Sequence, residues 1–140
     1  MFSKKSLLML LLVAMMSSCI SNKQLIVFLA GEIRNKERIS TFLNLMNCDI
    51  YAADAGYQYA LDFHLEPKLV FGDFDSMDKP LLKDLLIYPC EKDQTDSEIA
   101  LDLAIENAYK DVWFLAPFGG RVDHTLANLA LIAEAGHPAR

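Results

Sequence analysis

The chain has 140 residues, of which 53% are hydrophobic, and a formal net charge of −6. This length and apolar content suit one packed domain with a short additional segment. The acidic balance argues against a non-specific nucleic-acid-binding protein, because such proteins need a basic surface for the phosphate backbone. Nucleotide binding stays possible, since a bound metal ion reverses the local field of a carboxylate cluster.

The first 23 residues resemble a targeting segment rather than part of the fold. Two lysines precede an apolar run over residues 7–16, and Cys19 follows two serines. A charged start, an apolar stretch and small residues are typical of a signal peptide, and the cysteine resembles a bacterial lipoprotein signal. The apolar run is too short to span a bilayer as a helix. We assign residues 1–23 to a signal-like or extension segment and residues 24–140 to the folded domain.

From residue 24 onward, short apolar runs alternate with helical patterns. The pattern predicts strands over residues 25–30, 49–53, 68–71, 87–90 and 112–115. It predicts helices over residues 36–46, 56–63, 79–86, 95–108 and 122–135. Continuous apolar runs are typical of strands buried on both faces. The alternation predicts an α/β fold, a Rossmann-like parallel sheet with helices on both faces.

The third predicted strand leads directly into residues 72–76, Gly-Asp-Phe-Asp-Ser. On an extended backbone, positions i and i+2 point the same way, so Asp73 and Asp75 can reach one cation. Mg²⁺ suits such a pair, because it takes one or two carboxylates and fills its other positions with water and substrate phosphates. The alternative is a turn that is capped by an aspartate.

Acidic residues also follow the other predicted strands, where ligands of a parallel sheet bind. The loops are Asp54-Ala55-Gly56, Glu91-Lys92-Asp93-Gln94-Thr95-Asp96 and Phe118-Gly119-Gly120-Arg121-Val122-Asp123-His124. Clustered carboxylates raise one another's pKa, and a divalent cation relieves that repulsion. We therefore expect Asp73, Asp75 and Asp96 as metal ligands, although Asp96 also stands where a helix N-cap would be.

Arg121 and Lys92 are the basic residues of these loops. Arg121 follows two glycines, which let the backbone approach an anion closely, and its guanidinium can clamp phosphate oxygens. The alternative for Arg121 is an ion pair with Asp123. Lys92 would be a point charge for phosphate or a solvated surface side chain. His124, near a helix N-terminus, would contact substrate or cap and pack.

In their order and wording these motifs resemble one family, thiamine pyrophosphokinase. The motifs are Ala53-Asp54-Ala55-Gly56, Pro67-Lys68-Leu69-Val70-Phe71-Gly72-Asp73-Phe74-Asp75-Ser76, Glu91-Lys92-Asp93-Gln94-Thr95-Asp96 and Gly119-Gly120-Arg121-Val122-Asp123-His124-Thr125-Leu126-Ala127-Asn128. The resemblance runs from about residue 25 to residue 135. Any one motif is weak, whereas the ordered set is highly specific.

The resemblance implies an enzyme that moves a pyrophosphoryl group from ATP to the hydroxyl of thiamine, giving thiamine diphosphate and AMP. It implies that Asp73, Asp75 and Asp96 hold Mg²⁺ and that Arg121 completes the catalytic set. The residues implied to line the nucleotide and phosphate site are Asp54, Lys92, Thr95, Arg121, Asp123 and His124. Such a transfer depends on positioning and charge neutralisation, which these residues would supply.

The sequence departs from the family pattern at two glycine positions and in its extent. Ala55 replaces one of two glycines after the first aspartate, and Ala116-Pro117 stands where glycine is usual before Gly-Gly-Arg. Family members continue into an all-β domain, which helps to form the thiamine site across a homodimer. We expect this C-terminal β-domain to be absent from the chain.

Two other functions compete with this interpretation. One is a metal-dependent glycosyltransferase or phosphatase that uses Asp-x-Asp, although the phosphatase motif usually follows the first strand. The other is a nucleotide-binding module without turnover, anchored to the envelope as a lipoprotein through Cys19. ATP-dependent thiamine activation belongs in the cytoplasm, so the enzyme and the anchored module predict different locations. No nucleic-acid partner is expected, and a membrane partner is expected only if the lipoprotein signal is real.

Overall fold

The computed structural model describes residues 23–75, 84–89 and 93–135. Its strands are β1 (Gln24–Phe28), β2 (Asp49–Ala53), β3 (Leu69–Gly72), β4 (Leu85–Ile87) and β5 (Asp111–Leu115). Its helices are α1 (Lys36–Leu45), α2 (Gly56–Asp62), α3 (Asp96–Glu106) and α4 (Val122–Ala135). Cys19 and nearly all of the signal-like segment lie outside the described residues. No helix within the described ranges is long and apolar enough to cross a membrane.

The five strands form one parallel sheet in the order β4-β3-β2-β1-β5. The chain adds strands outward from β1 to β4 and then returns to place β5 on the other side of β1. The strand order therefore reverses between β1 and β5. Doubly wound sheets bind ligands beside such a switch point, beyond the carboxyl ends of the strands.

Helices cover both faces of the sheet, because the residues of β1 alternate between two apolar clusters. Leu25 and Val27 pack in the cluster that contains the buried face of α3. Ile26 and Phe28 pack in the opposite cluster, against side chains of α1 and α2. All four side chains are fully buried, and each contributes about 2 kcal/mol to stability by leaving water. The predicted α/β architecture is confirmed.

Strand β4 corrects the sequence prediction in its region. Leu85 pairs with Val70 and Leu86 pairs with Phe71, so the predicted helix over residues 79–86 is wrong at its end. Most of that helix lies outside the described residues. The strand also lies earlier than the predicted residues 87–90. A three-residue edge strand has little pattern of its own, and pairing with the free edge of β3 decides its conformation. The other element boundaries differ from prediction by one or two residues, as is usual at element ends.

Candidate functional site

The predicted site residues gather at one edge of the sheet, because all five strands run in the same direction. Asp54 follows β2, and Asp73 and Asp75 follow β3. Asp96 is the first residue of α3, and Arg121 directly precedes α4. Segments that are distant in the sequence are therefore brought together at the carboxyl ends of the strands. Lys92 lies outside the described residues.

Asp54 is a buried acid at this edge of the sheet, and its pKa is strongly raised. It is only 9% exposed, and its Oδ1 accepts a hydrogen bond from the Phe74 amide at 3.0 Å. Burial, the largest cause, raises the pKa of Asp54 to about 7, and the neighbouring Asp96 and Asp73 act in the same direction. The Phe74 amide opposes this shift because it stabilises the carboxylate. Asp54, Asp73 and Asp96 thus lie close enough to interact and form an acidic cluster.

The segment after β3 is a turn rather than the extended backbone expected there. Phe74 has a φ of +55°, and its side chain is buried in the apolar cluster that also contains Phe28. Asp73 Oδ1 accepts a hydrogen bond from the Asp75 amide at 3.2 Å. This is the aspartate-capped turn, which aspartate side chains commonly form. The extended backbone assumed between Asp73 and Asp75 is therefore wrong, and their sharing of one cation stays a prediction. Asp73 adjoins Asp54, whereas Asp75 is exposed.

The acidic cluster has the donor chemistry of a magnesium site. Carboxylate oxygens are the ligands that Mg²⁺ takes from proteins, and a cation would relieve the repulsion felt by Asp54. Within residues 23–75, 84–89 and 93–135, no group of three or more His, Cys, Asp or Glu side chains is arranged to hold a metal ion. The ligand set Asp73, Asp75 and Asp96 stays a prediction.

Helix α3 begins with a reciprocal capping box. Thr95 Oγ1 accepts from the Glu98 amide at 3.3 Å, and the Thr95 amide donates to Glu98 Oε2 at 2.6 Å. The Thr95 hydroxyl also donates to Glu98 Oε2, at 2.9 Å. Thr95, and not Asp96, is therefore the N-cap, and Asp96 is the first helical residue. An acid in the first turn is favourable, because it faces the positive end of the helix dipole.

Arg121 pairs with Asp123, which is the alternative that the sequence left open. Its Nε donates to Asp123 Oδ1 at 3.1 Å, and its second contact, to Oδ2, measures 2.5 Å. The hydrogen bonds raise the pKa of Arg121 and lower that of Asp123. Both side chains are exposed, at 72% and 60%, so solvent and ligands can reach the pair. His124 follows in the first turn of α4 and is also exposed.

The loop after β1 was missed as part of this edge. The Gly31 amide donates to the Ala116 carbonyl at 2.9 Å, and the Glu32 amide donates to the Phe118 carbonyl at 2.7 Å. A Cβ on Gly31 would lie 2.4 Å from the Ala116 oxygen, so the close approach requires glycine. The glycine that ends a buried strand was the available signal. The sequence could not show that β5 lies beside β1.

A doubly wound parallel sheet with an acidic cluster at its carboxyl edge defines an α/β ligand-binding domain. The family model described as the thiamin pyrophosphokinase catalytic domain matches residues 43–139. The chain belongs to this family, which confirms the resemblance seen in its motifs.

Individual relatives agree with this assignment. The thiamine pyrophosphokinase of Bacillus subtilis (strain 168) is 37% identical over 86 residues, which are 56% of this chain and 40% of that protein. A crystal structure of the thiamine pyrophosphokinase from Bacillus subtilis matches with a TM-score of 0.66 and 28% identity, over 81% of this chain and 56% of that one. The thiamin pyrophosphokinase structure from Geobacillus thermodenitrificans has a TM-score of 0.62 and 30% identity, over 82% and 56% of the two chains. The chain thus spans about half the length of these relatives.

Proposed function

We propose that this domain binds ATP with Mg²⁺ and transfers a pyrophosphoryl group to the hydroxyl of thiamine, giving thiamine diphosphate and AMP. The observation that most supports this is the acidic cluster of Asp54, Asp73 and Asp96, at the ligand-binding edge of a sheet from the thiamin pyrophosphokinase family. A cluster of carboxylates suits a triphosphate only if a cation lies between the two.

The acidic residues would hold the metal and receive a proton. Bound Mg²⁺, with Asp73, Asp75 and Asp96 as ligands, would neutralise charge on the phosphate oxygens. The thiamine hydroxyl would attack the β-phosphorus in line, forming a new P–O bond. The bond between the β-phosphorus and the oxygen that bridges it to the α-phosphorus would break, so AMP leaves with that oxygen. One aspartate of the edge would accept the hydroxyl proton as general base.

Arg121 would bind the phosphate groups by exchanging its partner. Its present ion pair with Asp123 is exposed to solvent, and such pairs contribute little to stability in water. A phosphate carries more charge than a carboxylate and accepts the same two-pronged hydrogen bonding. Arg121 would therefore leave Asp123 for the ligand, and the guanidinium would stabilise charge that grows on the equatorial oxygens.

The remaining predicted residues would complete the nucleotide site. Thr95 would act through the start of α3, since its hydroxyl is engaged with Glu98. His124 and Asp123 would contribute from the first turn of α4, and Lys92 from the loop before α3. We further propose that thiamine binds across a homodimer when the family's C-terminal β-domain is present, as the family resemblance implies, and that the reaction takes place in the cytoplasm. Recovery of the protein lipidated at Cys19 in a membrane fraction would contradict that location.

The test is an assay of the full chain with thiamine, ATP and Mg²⁺, in which AMP and thiamine diphosphate are measured together. Equal formation of both products, dependent on thiamine and on Mg²⁺, would support the proposal. Calorimetry with Mg²⁺ and a non-hydrolysable ATP analogue separates binding from turnover. Binding without product would assign the chain as a nucleotide-binding module that lacks turnover. A folded protein that neither binds nor turns over would reject both functions.

A further inference from the structure

Asn128 of α4 connects two other elements through its side-chain amide. Its Nδ2 donates to the Pro117 carbonyl at 2.6 Å, and its Oδ1 accepts from the Ser97 hydroxyl. Ser97 is the second residue of α3, is only 4% exposed and directly follows Asp96. A single side chain therefore joins the loop after β5 to the first turn of α3.

The loop after β5 is held at three consecutive carbonyl groups. The Ala116 and Phe118 carbonyls accept from the Gly31 and Glu32 amides of the β1 loop, and the Pro117 carbonyl between them accepts from Asn128. The loop after β1 thus holds two of these carbonyl groups, and Asn128 of α4 holds the third. Two glycines with φ of +114° and +75° follow directly and lead to Arg121.

We propose that Asn128 is a positioning residue that fixes the spacing between the Arg121 loop and the first turn of α3, where Asp96 lies. This inference rests on the proposed function, because it joins the phosphate-binding arginine to the acidic part of the same site. The amide suits the task chemically, since it offers a donor and an acceptor on one rigid plane. Aspartate at this position would only accept, and an apolar residue would leave the buried Ser97 hydroxyl without its acceptor.

Asn107, at the end of α3, offers a matched control for Asn128. It is the C-cap of α3, and its Nδ2 donates to the Leu103 carbonyl at 2.8 Å. Asn107→Ala therefore removes an amide-to-carbonyl hydrogen bond at the opposite end of α3 from Asp96. Effects that appear in Asn128→Ala but not in Asn107→Ala are specific to the site.

Amide hydrogen exchange on the full chain tests the positioning without any ligand. Asn128→Ala should speed exchange roughly tenfold at Gly31 and Glu32, which bond the loop, and at Ile99, which bonds the start of α3. Asn107→Ala should leave these amides unchanged. Two further variants separate the two hydrogen bonds of the Asn128 side chain. Asn128→Asp keeps the acceptor for Ser97 and should affect only the loop amides, whereas Ser97→Ala should affect only the start of α3.

Enzyme kinetics provide a second test of the role of Asn128. Asn128→Asp should lower kcat/KM for ATP by roughly tenfold or more, mainly through KM, while Asn107→Ala retains the wild-type value. Exchange rates in Asn128→Ala, Asn128→Asp and Ser97→Ala that all equal those of the wild type would overturn the inference, whatever the activity. If the variants change exchange as expected but the wild-type protein binds no Mg²⁺–ATP, the proposed function is rejected and the structural role of Asn128 is kept.

Discussion

The carboxylate of Asp54 occupies the space beside Gly72 in which any other residue would place its Cβ. An ideal Cβ on Gly72 would lie 1.8 Å from Asp54 Oδ1, and the φ of Gly72 is +148°. The missing side chain lets the buried carboxylate sit over the end of β3 and reach the Phe74 amide. The position of the acidic cluster therefore depends on a glycine that carries no chemistry of its own.

The Gly72→Ala variant should lose about 2–4 kcal/mol of unfolding free energy, because overpacking and an unfavourable φ act together. Urea unfolding measures the loss. In the Asp54→Ala background the same substitution should cost less, since the clash is relieved and only the backbone strain remains. Gly120→Ala is the control, because a Cβ there meets nothing within 4 Å at a φ of +75°. It should cost about 1 kcal/mol, and equal losses at Gly72 and Gly120 would show that the Asp54 contact is unimportant.

Two alanines hold the left-handed conformation that favours glycine. Ala116 has a φ of +55°, and Ala108, just after α3, has a φ of +58°. Ala116 is part of Ala116-Pro117, which stands where the family usually has a glycine before Gly-Gly-Arg. Replacing Ala108 by glycine should stabilise the protein by about 0.5–1 kcal/mol, and Ala116→Gly by somewhat less because a buried methyl is lost. The matched control is Ala130→Gly in the middle of α4, which should destabilise by about 1 kcal/mol. Thermal unfolding that shifts downward in all three variants would contradict this prediction.

A pH effect on stability is expected from Asp49, at the other end of β2. Lys68 Nζ and the Tyr109 hydroxyl donate to Asp49 Oδ2 at 2.7 Å and 2.5 Å. The Lys68 bond, the largest cause, and the Tyr109 bond lower the pKa of Asp49 below 3.8. A lowered folded-state pKa contributes stability that is complete above the unfolded value and is lost as pH falls through the folded value.

The Asp49→Asn variant should therefore lose about 1 kcal/mol at pH 7, a modest figure because solvent screens these half-exposed groups. The difference from wild type should shrink as pH falls below about 4. Urea unfolding between pH 7 and pH 2.5 measures both. Tyr109→Phe removes one of the two donors and should show a smaller effect of the same sign. A constant difference across this pH range would exclude the proposed ionisation of Asp49.

The three predicted magnesium ligands can be separated by calorimetry with Mg²⁺ and an ATP analogue. Asp73→Asn and Asp96→Asn should each weaken Mg²⁺-dependent binding by roughly tenfold or more, because each removes a hard charged ligand. Asp102→Asn is the control, since Asp102 is an exposed acid of α3 that bonds Gln94. Asp75→Ala should abolish the binding if Asp75 is a ligand. Unchanged affinity in that variant would remove Asp75 from the metal shell.

Local pattern was enough to locate most of the fold. The buried central strand is a continuous apolar run, and the helices carry their own periodicity and caps, so neighbouring residues alone indicate them. The rule that parallel sheets bind ligands at their carboxyl ends then selected loops that the structure brings together, including those of Asp54 and Asp96. The position of strand β4 was predicted wrongly, because its conformation comes from pairing with β3.

The side-chain partners within the site could not be predicted in the same way. Phe74 has a φ of +55° and its ring is buried in the core, so the backbone between Asp73 and Asp75 is a turn and not the extended segment that the sequence suggested. The contact of Gly31 with the β5 loop depends on the strand order. Asn128 was noticed only as part of a motif, and its two partners lie on elements that no local pattern connects to it.

From its sequence alone, this protein is determined to be a parallel α/β domain of a pyrophosphokinase family, with acids and an arginine in the loops after its strands. Such features depend on residue type and spacing, which are local. Only the tertiary structure decided that Asp54 lies against Asp96, that Gly31 contacts the loop after β5 and that Asn128 joins that loop to the first turn of α3. Those relationships come from the order of strands and the packing of distant segments, where burial and charge are shared between residues that no sequence window contains.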